Sequence, residues 1–258
     1  MKFLRADGEK SQSDALYLGM EIEAECTRDS REDIAEDLLD DETVYLKDDG
    51  SIHDGFEAVS HPATWKYWQS HKFAWAKEMR RRGMRSYNTT TCGMHVHASR
   101  KFFTKGDEFK LRKFFRDNAR FILSISRRQA ANLDRWAAID TDTTRRLIEK
   151  TMHGDAVRYA AVNFSNGKTI EFRIFRGTLD IEAIRRNVAF VVAVSHYVKH
   201  ASIATLSARD MVEWTRDNGS KILGKKQTES LVTWMNQAIT HNPRTGEMPV
   251  ESEESVCA

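Results

Sequence analysis

Long apolar runs are missing from this chain. The longest, Val188 to Val194, is seven residues, against the roughly 20 that a membrane-spanning helix needs. The opening residues, Met1 to Asp7, hold no apolar core of the kind a secretory leader carries. Cysteine is scarce. Cys26, Cys92 and Cys257 form no even set and no metal-ligand spacing, which argues against a disulfide framework and predicts reduced thiols in a cytoplasm. Proline occurs only at 62, 243 and 249, away from the periodic segments. Strong net charge is absent too: a formal +2 is far from the basic excess of a dedicated nucleic-acid binder, so nucleic acid is not an expected partner. What remains, 40% apolar and 30% charged over 258 residues, is enough for one sizeable core. No internal repeat is present.

The first informative pattern is strict alternation from Leu16 to Cys26. Leu16, Leu18, Met20, Ile22, Ala24 and Cys26 share one face, and Glu21, Glu23 and Glu25 share the other. Like charges at that spacing repel, so the strand gains nothing from them. Bound cations would explain three carboxylates, although a merely acidic surface also fits. Ser30 to Asp41 reads as a short acidic helix with Ser30 as N-cap and Asp33 at the capping-box position. Strands at Thr43 to Lys47 and Phe56 to Ser60 flank the turn signal Asp48-Asp49-Gly50-Ser51, and Glu57 lies on the second strand. Thr64 to Arg82 reads as one aromatic-rich helix, and the five cations from Lys77 to Arg85 as its solvated end.

Cys92-Gly93-Met94-His95-Val96-His97-Ala98-Ser99 is the centre of the pattern. In a strand, His95 and His97 lie on one face and Val96 on the other. Two aligned imidazoles beside a glycine make a usable metal or phosphate site; two half-exposed surface histidines are the plainer alternative. A long amphipathic helix is expected from about Gly106 to Ala131, with Arg127, Arg128 and Asn132 at its far end. A further helix spans about Asp140 to Met152. Arg158 to Phe164 and Thr169 to Phe175 then read as a hairpin closed at Asn166-Gly167. Alternation puts Glu171 and Arg173 on one face and sends Arg176 away from them. Helices are expected from Asp180 to His200, Ser207 to Asn218 and Gln227 to Thr240.

Taken in order, Gly19-Met20-Glu21-Ile22-Glu23, Glu57, Gly93-Met94-His95-Val96-His97-Ala98-Ser99 and Ile170-Glu171-Phe172-Arg173 resemble the carboxylate–amine ligase superfamily of glutamine synthetase and glutamate–cysteine ligase. The nearest likeness is to its small amidoligase branch, over about Leu18 to Lys199. The resemblance implies an α+β fold: a curved antiparallel sheet with helices packed on one face, like a glutamine synthetase catalytic domain. Composition reads residues 1–14 as a loose polar lead-in and 241–258 as a disordered tail, which leaves 15–240 as a single catalytic domain with C-terminal helices. The resemblance also implies ATP and two or more Mg²⁺ or Mn²⁺ ions. In that scheme Glu21, His95 and Glu171 hold the cation on the ATP phosphates. Glu23 and Glu57 hold the cation nearer the substrate carboxylate, and His97 touches ATP phosphate. Arg173 neutralises the transferred phosphoryl group. Carboxylates with one imidazole suit Mg²⁺ or Mn²⁺ on their own chemistry, and phosphoryl transfer needs cations and an arginine to spread charge.

The implied activity is ATP-dependent amide formation through an acyl phosphate, with Arg173, Glu23 and Glu57 as catalytic groups and small-molecule or peptide acids and amines as substrates. Arg158 joins His97 and Arg173 as a candidate for the nucleotide, with a structural role equally open. Arg127, Arg128 and Asn163 fit substrate contacts and structural roles equally well. The chain shows no counterpart of the separate N-terminal domain that glutamine synthetases use to complete a neighbour's site, so one chain or another kind of homo-oligomer is expected to close the pocket. Two other readings compete: a metal-dependent phosphoesterase or nuclease on the same carboxylates, and a non-catalytic nucleotide-binding scaffold.

Overall fold

The computed structural model describes residues 3–6, 8–9, 14–26, 31–38, 41–52, 54–128, 135–154, 157 and 159–241. Ser30, Asn132, Arg158, Cys257 and the tail from 242 lie outside the described residues.

The fold is α+β, as expected. Seven strands form one antiparallel sheet: β1 (Tyr17–Glu25), β2 (Val44–Lys47), β3 (Gly55–Ser60), β4 (Ala63–Thr64), β5 (Gly93–Ser99), β6 (Val162–Asn163) and β7 (Thr169–Arg176). Their order is β2-β3-β1-β5-β7-β6, with β4 paired to the start of β1. The described helices are α1 (Arg31–Leu38), α2 (Trp65–Ser70), α3 (Ala74–Arg81), α4 (Lys105–Asp117), α5 (Ala119–Ser126), α6 (Thr144–His153), α7 (Ile181–His200), α8 (Ala208–Leu223) and α9 (Lys225–Thr240). None is long and apolar enough to cross a membrane.

The alternation of β1 decides which face of the sheet is dry. Leu18, Met20, Ile22 and Ala24 are almost fully buried and join Val96, Phe172, Phe114 and Phe190 in one core with the helices. The glutamates therefore emerge on the opposite face.

Two helices expected to be continuous are broken, each by a side chain that bonds its own backbone or packs locally. Thr64 to Arg82 divides into α2 and α3 because Phe73 takes a left-handed conformation at φ 49°. Its ring is fully buried and stacks on Trp68, with centroids 5.7 Å apart. The long helix after β5 divides at Asn118. Its Nδ2 donates to the Phe114 carbonyl, and its Oδ1 accepts the Ala208 N–H at 2.8 Å. That break turns α5 toward β7. The first hairpin strand shrinks to the two residues of β6, since Ala160 makes only an isolated bridge to Ala138. The lead-in, expected to be loose, is tied down where it is described: the Leu4 N–H donates to the Pro62 carbonyl, and Thr64 Oγ1 donates to Glu9 at 2.6 Å.

Candidate active site

Strand register assembles the polar face. Glu21 lies directly across from His95, Glu23 from Glu57, His97 from Glu171, and Glu171 from Asn163. Directly opposed residues share a face, so residues up to 150 positions apart meet there. Glu23 opposite Glu57 is a like-charge pair that destabilises a sheet unless a proton or cation comes between them.

Two groups of ligand atoms result. Glu21, His97 and Glu171 each offer an atom within 4.8 Å of the others, and so do Glu23, Asp49 and Glu57. His95 belongs beside the first group: its Nδ1 is 3.6 Å from Glu21 and 3.4 Å from Glu171. That nitrogen is buried and, among the described residues, has no hydrogen-bond partner, and the same holds for Nε2 of His97, 3.3 Å from Glu21. The resemblance separates the two histidines, one to cation and one to phosphate. The geometry gives both an orphaned nitrogen aimed at the same carboxylates. An imidazole nitrogen left bare among carboxylates, with no cysteine nearby in the group, fits a hard divalent cation.

Charge follows the same geometry. Burial would raise the Glu21 carboxyl, but contacts with His95 and His97 outweigh it and hold it far below the usual range. Burial also works against protonated His97, yet Glu21 pulls it above the ordinary value. Burial dominates on the other group. It raises Glu23, despite attraction from His95, the Gly93 N–H, Arg128 and Arg173, and it pushes Glu57 up to about 7 although Lys47 Nζ donates to it at 2.9 Å. A carboxylate costly to ionise beside another carboxylate is a position that a cation would relieve.

The remaining residues of interest divide. Arg173 lies on the site face, its Nη1 2.5 Å from Oε1 of Glu171. Asn163 donates to the other oxygen of Glu171. Arg128 reaches the site from the end of α5, and burial pushes its guanidinium down to about 10. Arg127 ends α5 with φ 55°. Glu25, the third glutamate of the row, instead accepts from Thr91 at 2.9 Å. A cleft of about 620 Å³ between the lead-in, α2, α7 and the α8–α9 junction contains none of these groups.

Two placements differ from the sequence expectation. Asp49 was legible only as a turn residue; the β2–β3 turn folds it back onto Glu57, and its eight-residue spacing from Glu57 was the available signal. Arg176 does not point away. Val96 pairs with Phe172 and Met94 with Phe175, so Arg173 and Ile174 together face His95 in a β-bulge. The extra residue resets the alternation, puts Phe175 in the core and brings Arg176 opposite Gly93 on the site face, where it packs on Tyr87.

No curated protein matches the chain. Residues 111–195 match the family model described as "Putative amidoligase enzyme". That segment runs from α4 into α7 and carries Arg128, Asn163, Glu171 and Arg173, whereas β1, β3 and β5 lie before it. The match supports an amidoligase-type family for this chain, and with it a ligase-like enzyme.

Proposed function

We propose that the chain is an ATP-dependent carboxylate–amine ligase that activates an acid as its acyl phosphate and passes it to an amine. The observation that carries this reading is the pair of adjacent ligand groups, Glu21/His97/Glu171 with His95 and Glu23/Asp49/Glu57, on one sheet face within reach of two arginines. Residues matching the superfamily pattern stand in both groups.

In this proposal Glu21, His95 and Glu171 hold a Mg²⁺ or Mn²⁺ ion toward the ATP phosphates, His97 beside them meets a phosphate oxygen, and Glu23, Asp49 and Glu57 hold a second ion toward the acid. Bound divalent cations supply Lewis acidity and neutralise phosphate charge. Arg173, fixed by Glu171, adds positive charge beside the transferred phosphoryl group. The acid and amine are small molecules or peptides, the setting is cytoplasmic, and neither membrane nor nucleic acid is a partner. The catalytic unit is residues 15–240, alone or as a homo-oligomer.

Titration calorimetry with Mn²⁺, then with a non-hydrolysable ATP analogue, tests the site. The proposal expects at least two Mn²⁺ per chain and nucleotide binding that depends on them. Metal-dependent DNA cleavage without ATP would replace it with the phosphoesterase reading. Nucleotide binding without turnover on any acid and amine would favour the scaffold.

A further inference from the structure

Arg128 is a guanidinium held in place but not neutralised. Its backbone N–H donates to Ser126 Oγ and its Nε to the carbonyl of Phe175, both at 3.1 Å. Phe175 closes the β-bulge, so the bulge itself aims the side chain. Among the described residues, those bonds leave the Nη groups without a protein acceptor, and no carboxylate is within ion-pair distance of them. Arg173, by contrast, is already engaged by Glu171 and by the carbonyl of Trp136.

Gly93 explains how the guanidinium fits. A Cβ at that position would lie 2.1 Å from Nη2 of Arg128 and 3.3 Å from Nε2 of His95. The glycine that opens the Gly-Met-His-Val-His motif is thus the floor on which Arg128 rests. The Gly93 N–H also donates to Oε2 of Glu23 at 2.6 Å. Arg128, Gly93 and Glu23 form one stack at the end of the face nearer the Glu23/Asp49/Glu57 group. A cation removed from water without an anion in ion-pair contact is costly to keep, and a planar fork with free N–H groups is the geometry that carboxylates match.

We propose that Arg128 is the receptor for the carboxylate of the acid substrate, with Gly93 clearing the space in which its fork lies. This rests on the ligase reading of the same site and names which arginine takes the acid. Arg173 is left to the phosphoryl group.

The test is residue-resolved modification of the full chain by phenylglyoxal in Mn²⁺, read by peptide mass spectrometry, with acetate or inorganic phosphate as the protecting anion. Acetate should slow modification of Arg128 by about tenfold, the size of one charge-assisted anion contact, and leave Arg173 unchanged. Gly93→Ala should abolish that protection although Arg128 is still present, while the Mn²⁺ affinity of the variant reports that the sheet is intact. Arg128→Lys should weaken acetate binding without changing the number of Mn²⁺ ions. No acetate protection at Arg128, in protein that binds Mn²⁺ and the ATP analogue, overturns the assignment and leaves the ligase reading standing. Protection by phosphate in place of acetate overturns it too, because Arg128 would then serve the phosphoryl group. Acetate protection without any nucleotide binding would keep the anion receptor and defeat the ligase reading.

Discussion

Asn163 Nδ2 donates to Oε2 of Glu171 across 3.0 Å, and its own Oδ1 accepts the Ser165 N–H at 2.9 Å. The second bond fixes the amide, so a donor and never an acceptor faces Glu171. With Arg173 on the other oxygen, both ends of the Glu171 carboxylate are oriented. Asn163→Asp would set a second carboxylate against the first. It should weaken Mn²⁺ binding by about ten- to a hundredfold, the usual cost of losing an outer-shell partner. Asn163→Ser, which keeps a donor, should lose less. Equal affinities in all three proteins would remove Asn163 from the site.

Glu23→Gln and Glu171→Gln remove charge from the two ligand groups with little change in volume. Turnover should fall about a hundredfold or more in each. The metal-free proteins should differ. Glu23 is buried opposite Glu57, so Glu23→Gln relieves repulsion and should raise metal-free stability by about 1 kcal/mol. Glu171 is paired with Arg173, so Glu171→Gln should not. Chemical denaturation in a chelator measures the contrast, and a destabilised Glu23→Gln would contradict it.

Metal-free stability should also depend on pH with a definite sign. Glu57 is raised from 4.5 to about 7, chiefly by burial, so the folded protein holds a proton there that the unfolded chain has released. Stability is highest below the unfolded value, falls as pH rises through about 7, and stays low above it, by up to about 3 kcal/mol. His97, also raised, acts in the same direction near its own range. Glu57→Gln separates the two, since it should remove most of the slope between pH 5 and 7. Saturating Mn²⁺ should reverse the trend, because a cation needs the ionised carboxylate. A flat profile in chelator would show that Glu57 is not buried in charged form.

How far the sequence reached depends on whether a feature was local or set by register. The alternation from Leu16 to Cys26 specified both the dry and the acidic face, because period two leaves no freedom once one side is buried. The ordered motifs then marked β1, β3, β5 and β7. Asn118 and Phe73 were not legible as breaks: one is set by a distant partner, the Ala208 N–H, and the other by a local ring stack on Trp68 that an aromatic-rich segment does not single out. The bulge at Arg173 and Ile174 was equally silent, and it decides where Arg176 lies. Gly93 was visible as a residue that permits close approach. What approaches it, Arg128, comes from 35 positions away through two helices and could not be read from spacing.

His95 and His97 offer the finest test of the ligand set. Both carry a buried nitrogen without a hydrogen-bond partner among the described residues, but His95 lies between two carboxylates, whereas His97 Nδ1 also meets Thr169 Oγ1 at 3.3 Å. His95→Asn should raise the Mn²⁺ concentration needed for nucleotide binding by about tenfold or more. His97→Asn should weaken the ATP analogue more than it weakens Mn²⁺. Calorimetry with metal alone and then with nucleotide separates the two. Unchanged affinities in both variants would reduce the motif to an ordinary strand.

ADP release in Mg²⁺ from a matrix of acids and amines, with the mass of every product determined, decides whether the chain is a ligase. A ligase releases ADP only when an acid and an amine are present together, and yields a product weighing their sum less one water. ADP release indifferent to the amine, or no ADP with any pair from protein that binds Mg²⁺ and nucleotide, would contradict the ligase reading.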